Sequence, residues 1–235
     1  MGRAFEYRKA TKLKRWANMS KTFTRIGKEI TMAVKEAGDN PRNNLRLRMA
    51  IQNAKAANMP KDNIERAIKK ATSKEQADYK EVIYEGYAPH GIAVLIETAT
   101  DNHVRTVANI RSIFNKYGGS LGTQGSVDFM FERKCFIKIE KPEMDIDELE
   151  LELIDYGAEE VFADGDEVMI YGAFADFGAL TTAVEERGLK VVTTGFERVP
   201  MDLKELSDEE KAEVETVLEK LEEDDDVQYV FTNMK

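Results

Sequence analysis

The sequence predicts a multi-domain α+β protein, an N-terminal helical bundle followed by two α/β domains, one inserted in the other. Three observations predict it. Apolar residues recur at helical spacing as far as Ala71, and from Val82 onward the period shortens to two. Further along, a complete β-α-β-β-α-β unit interrupts a second set of strands and helices.

In the first helix Ser20 is the expected N-cap, and Phe23, Ile26, Ile30, Ala33, Val34 and Ala37 share one face until Gly38 stops it. Asn40-Pro41 is read as the start of the next helix, with Leu47, Ile51 and Ala54 inward and Asn58 at its end. Pro60 opens a third helix carrying Ile64, Ala67, Ile68 and Ala71, and an earlier basic helix is expected over about residues 6–17. Alternation marks strands at 82–87 and 92–98 about a Pro89-His90-Gly91 turn. Asp101 is the expected cap of a helix bearing Val104, Val107, Ile110, Phe114 and Tyr117, ended by Gly118-Gly119, and a strand is expected at 127–132.

The interrupting unit has strands at 135–140, 160–163, 167–171 and 189–194. Its helices start at Asp145, with Glu148 completing a capping box, and at Phe177. This is the ferredoxin-like order. Ser207 and Glu210 form another capping box ahead of Val214, Val217, Leu218 and Leu221, and a strand closes the chain at 227–232. The expected domains are therefore a basic bundle (1–77), an α+β domain (78–133 plus 201–235) and an inserted ferredoxin-like domain (134–200), making two ferredoxin-like α/β domains in all.

Charge is divided as sharply as structure. Residues 1–76 hold 19 Lys/Arg against 7 Asp/Glu, and the rest hold 15 against 37. Such asymmetry points to a polyanionic partner for the basic part. Lys21, Arg25, Lys28 and Lys35 share a helix face opposite Phe23, Ile26 and Ile30. Arg8, Lys12 and Arg15, with Lys9 and Lys14 beside them, do the same on the preceding helix, and Arg42, Arg46, Arg48 and Lys55 extend the surface. A cationic helix face neutralises several phosphates at once and releases their counterions. An ordinary solvated face is the plainer reading, disfavoured here because few acids interleave. Trp16 and Tyr7 could stack on bases, although core packing suits Trp16 better.

Other motifs are weaker. The run GGSLGTQGS (118–126) follows a helix and lacks a lysine, so it is neither a Walker loop nor a dinucleotide fingerprint. It reads as a flexible helix-to-strand loop, in which Ser120, Thr123 and Gln124 could meet a phosphate. His90 and His103 have no metal-ligand companions, and the single Cys135 cannot build a disulfide or a cysteine zinc site. The acidic run Glu222–Asp226 reads as a solvated helix end. No metal, cofactor or catalytic residue is expected, a metal-dependent nuclease being the rival reading. No apolar run is long enough to span a membrane.

The segment IQNAKAANMPKDNIERAIKKA (51–71) closely resembles the YebC/PmpR family, which includes the mitochondrial translational activator of cytochrome c oxidase subunit I. KTFTRIGKEIT, YEGYAPHGIAVLIE, TDNHVRTVANIR and NKYGGSLGTQGSVDFMFERK continue the resemblance, which is weaker beyond Lys134. At the start GRAFEY stands where the family has Gly-His-Ser-Lys-Trp, although Arg8-Lys9-Ala10 again matches. The resemblance implies three domains and a cytoplasmic regulator that binds DNA at promoters. For some relatives it implies a translation factor at the ribosome instead. The expectation is a monomeric or weakly associating, non-enzymatic protein with duplex DNA as leading partner and ribosomal RNA or the ribosome as the alternative.

Overall fold

The computed structural model describes residues 19–73 and 78–235. The described residues up to Ser73 join Arg133–Val199 in one compact unit, and Lys74–Glu132 joins Pro200–Lys235 in the other.

The described part of the first unit opens with α1 (Met19–Ala37), α2 (Leu45–Ala56) and α3 (Lys61–Ala71). Ser20 lies within α1 rather than capping it. Gly38, at φ +86°, ends α1 by donating its N–H to the Val34 carbonyl at 2.8 Å. The cap of α2 is Asn44, not Asn40: residues 40–43 form a turn, and the Asn44 side chain accepts from the Leu47 N–H at 3.0 Å. The same buried side chain donates to the carbonyls of Ala33 (2.7 Å) and Gly38 (2.8 Å), tying the end of α1 to the start of α2. Ile30, Ala33, Leu47, Ala50, Ala54, Ile64 and Ala71 form the bundle core.

The unit continues with β4 (Phe131–Glu140), α5 (Ile146–Ile154), β5 (Ala158–Asp164), β6 (Glu167–Ala173), α6 (Phe177–Glu186) and β7 (Val191–Pro200). The sheet runs β5-β6-β4-β7, the ferredoxin-like order. Its core holds Ile137, Ile139, Leu149, Leu153, Val168, Ile170, Leu180 and Val184, with Leu45 and Met49 of α2 packed against it. The strand expected at 127–132 does not exist as such: residues Asp128–Met130 make a 3₁₀ turn, and Phe131 already starts the ten-residue β4. Asp145 caps α5 by accepting from the Asp147 N–H at 2.8 Å.

The second unit contains β1 (Lys80–Ala88), β2 (Ile92–Thr100), α4 (His103–Lys116), β3 (Ser120–Leu121), α7 (Asp208–Glu223) and β8 (Val227–Thr232). Its sheet runs β3-β1-β2-β8, with β1 antiparallel to both β2 and β3 and β2 antiparallel to β8. In space this too is the ferredoxin pattern, since β2-α4-β3 is a crossover split by β1. The chain, however, enters at the strand that a simple βαββαβ would reach third. The cap of α4 is Asn102 rather than Asp101, and Val104 points to solvent while Thr106, Ile110 and Phe114 are buried. Both bonds of the Ser207–Glu210 capping box form.

Candidate nucleic-acid interface

The anticipated basic surface is only partly a surface. On α1, Lys35 is exposed and Lys21 and Arg25 are half-buried. Lys28 is 8% exposed, as is Met32 on the same face. That face is thus covered along its middle. On α2, Arg46 donates to Glu36 at 2.9 Å and lies 3.3 Å from Glu29, so its charge is spent within the bundle. Arg48 pairs with Glu185 of α6 at 3.3 Å and ties the bundle to the neighbouring sheet domain. Arg42 and Lys55 are exposed. Arg8, Lys9, Lys12, Lys14 and Arg15, together with Tyr7 and Trp16, lie outside the described residues.

The structure adds residues that the sequence reading passed over. Arg66, Lys69 and Lys70 are exposed on α3, on the side away from Ile64, Ala67, Ile68 and Ala71. Lys61 faces Glu65 at 3.5 Å. The signal was available, since the apolar stripe of α3 implies its cationic complement. With Lys35, Arg42, Lys55 and Lys61, the α3 residues Arg66, Lys69 and Lys70 make up the exposed basic set of the described bundle.

The glycine run is no flexible loop. Ser120 and Leu121 form β3 and pair with Tyr87 and Gly86, while the Gly122 N–H donates to the Glu85 carbonyl at 2.8 Å. The Glu85 side chain, 4% exposed, accepts from the N–H groups of Gly125 (2.6 Å), Val127 (2.7 Å) and Asp128 (2.8 Å). A buried carboxylate therefore already fills the backbone cradle that a phosphate would need. Ser120, Thr123 and Gln124 remain exposed.

His90, at φ +62°, lies 2.8 Å from Glu213 and 3.4 Å from Glu210, and His103 is the exposed first residue of α4. Among the described residues no group of three or more His, Cys, Asp or Glu is placed to hold a metal. The acidic run is not wholly solvated: Asp226 is 4% exposed and receives Thr106 at 2.8 Å and Arg105 at 2.7 Å. The Arg105 guanidinium is held above its ordinary pKa by Asp226 first and Asp101 second. No helix of the described residues is long and apolar enough to cross a membrane.

Known proteins place the chain. Residues 3–74 match the TACO1/YebC protein N-terminal domain, and residues 79–234 match the TACO1/YebC second and third domain. The chain belongs to the TACO1/YebC family. It is 63% identical to a "Probable transcriptional regulatory protein" of Flavobacterium johnsoniae, across 100% of this chain and 99% of the relative. A protein of the same description from Parabacteroides distasonis is 58% identical, with 100% and 97% covered. The crystal structure of the conserved hypothetical protein Aq1575 from Aquifex aeolicus superposes with a TM-score of 0.80 at 38% identity, over 94% of this chain and 93% of that one. The names of these relatives describe transcriptional regulators, and the solved structure shares the α+β, multi-domain fold.

Proposed function

We infer that the protein is a non-enzymatic, cytoplasmic regulator that docks its basic helical bundle on a nucleic-acid backbone, with duplex DNA as its target. The observation that carries this reading is the separation of charge. Lys35, Arg42, Lys55, Arg66, Lys69 and Lys70 project from the bundle, while the remainder of the chain is acidic. Attraction concentrated on one part of an otherwise acidic chain fixes which face meets a polyanion. The names of the relatives support regulation of transcription. The three-domain division, with 134–200 inserted, belongs to the same proposal, as does a cationic contribution from Lys21, Arg25 and the basic residues before Met19.

The test is the salt dependence of binding to a duplex. Reversing Lys55, Arg66 and Lys69 to Glu should weaken affinity for every sequence alike and flatten the slope of log affinity against log salt by about 0.9 per lost phosphate contact. An unchanged slope would remove the docking face. Competition between duplex DNA and ribosomes for the intact protein then separates the two partners. Preference for ribosomes at physiological salt would transfer the same face to translation.

A further inference from the structure

The loop after β3 is tightly held and ends in an exposed ring. Gly119 cannot carry a side chain, since its Cβ would meet the Tyr87 carbonyl oxygen at 2.6 Å, and a Cβ on Gly122 would force the Ser126 hydroxyl, 2.4 Å away, to move. The Tyr87 hydroxyl donates to the Ser126 carbonyl at 3.2 Å, and Val127 is wholly buried beside Ala93, Leu95, Phe131 and Phe231. With Glu85 holding three more N–H groups, the backbone is fixed on every side. This rigid frame presents Phe129 at 70% exposure. Burying that ring would be worth roughly 1.5–3 kcal/mol, which the fold forgoes. The Met201 N–H donates to the Met130 carbonyl at 2.9 Å, and this places Met201, 52% exposed, and the exposed Asp202 beside the same turn.

We propose that this pinned turn, with Phe129, Met201 and Asp202, is a docking site for a Lys/Arg-rich protein segment. An aromatic face and a thioether accept the aliphatic stem and the charge of a cationic side chain, and an adjacent carboxylate pairs with its head. The surroundings favour a cation: residues 78–132 and 200–235 hold eight Lys/Arg against 20 Asp/Glu. They disfavour a phosphate backbone, because the loop N–H groups already bind Glu85. The site lies in the acidic unit and would join a second partner to the same chain. A fixed backbone lowers the ordering cost of such a contact.

The experiment titrates the full-length protein against a fluorescent peptide of alternating arginine and leucine, with single-stranded oligouridine as contrast. Phe129→Ala should leave the melting temperature unchanged, because the ring is already in water. It should weaken the peptide about fivefold, the scale of an exposed cation–π contact. Asp202→Asn should weaken it to a lesser degree, and Glu219→Gln, on the outer face of α7, should leave it unchanged. Equal losses from Glu219→Gln and Phe129→Ala would mean diffuse charge attraction and overturn the site. So would unaltered peptide binding by Phe129→Ala, no peptide binding by the unmodified protein, or a loss confined to oligouridine, which would assign the ring to base stacking.

Discussion

Asn53 and Thr194 exchange two hydrogen bonds: the Asn53 amide donates to the Thr194 carbonyl at 2.7 Å, and its side-chain oxygen accepts from the Thr194 N–H at 3.0 Å. Thr194 lies on β7, the edge strand of its sheet, where backbone groups would otherwise be unpaired. Gln52 adds a bond to the Val191 carbonyl at 2.5 Å, so one turn of α2 stands in for a missing strand. Asn53→Ala should therefore cost about 2 kcal/mol in urea unfolding, because it leaves a shielded donor and acceptor unmet. Hydrogen exchange should quicken at Thr194 before it does elsewhere in the sheet. A cost under about 0.5 kcal/mol, the level of an ordinary surface change, would show that α2 does not hold this edge.

What the sequence made legible was local. The Ser207–Glu210 capping box, the Gly38 stop and the left-handed Asn58, at φ +57°, each depend on residues a few positions apart. What it concealed depends on distant partners. Strand β3 has only two residues and no period, and it pairs with β1 where a Cβ on Gly86 would meet the Ser120 carbonyl oxygen at 2.6 Å. Asp226 looks like one more solvated acid until Thr100, Arg105 and Thr106 arrive from the other end of the unit. Lys28 was counted as surface because helical spacing gives directions, not what covers them.

The basic residues of the bundle should divide into two groups. Arg66→Gln and Lys69→Gln should each lower the salt slope of duplex binding by up to about 0.9. Arg46→Gln and Arg48→Gln should leave the slope unchanged, because their charges already face Glu29, Glu36 and Glu185. Their effect should appear instead as a small loss of stability, within about 1 kcal/mol for such partly exposed pairs. Equal slope changes from all four would contradict this division.

Glu85→Gln tests the loop frame. An amide keeps one acceptor but turns an NH₂ group toward backbone donors, where a carboxylate oxygen now receives Val127 and Asp128. Bonds to a charged acceptor contribute about 1.5–3 kcal/mol each, so a loss of about 3 kcal/mol is expected in the second unit. Amide exchange at Gly125, Val127 and Asp128 should accelerate with it. Exchange at the wild-type rate would show that the carboxylate does not set the loop.

Cys135 is fully buried, and burial, with smaller contributions from Asp176 and Glu159, pushes its thiol up to about 12. The native protein should therefore resist iodoacetamide at pH 8 and react only when unfolded. The sign for stability follows from proton binding. The native state keeps a proton that the unfolded chain releases above about 8.5, so this contribution is whole below that pH. It is lost toward pH 12, by at most about 1.4 kcal/mol per pH unit. Cys135→Ala should unfold with a shallower alkaline decline than the wild type. Identical declines would show that the thiol does not titrate with folding.

Asp226 gathers four donors from three residues on one oxygen: Thr100 at 3.2 Å, Thr106 at 2.8 Å and Arg105, whose Nη2 stands at 2.7 Å and Nε at 3.3 Å. They join the start of α4, the end of β2 and the residue just before β8, so one carboxylate closes the second unit across its sheet. Asp226→Ala removes the shared acceptor of the buried hydroxyls and leaves Arg105 with Asp101 alone, and should cost about 2–3 kcal/mol, the scale of leaving buried polar groups unmet. Arg105→Ala should cost less, since its side chain is 48% exposed and water replaces part of what it loses. In the double variant the two losses should fall short of additivity by about 1–3 kcal/mol, because each single change already breaks the shared bond. Full additivity would mean that the hydroxyls alone hold Asp226, and that Arg105 merely rests on it.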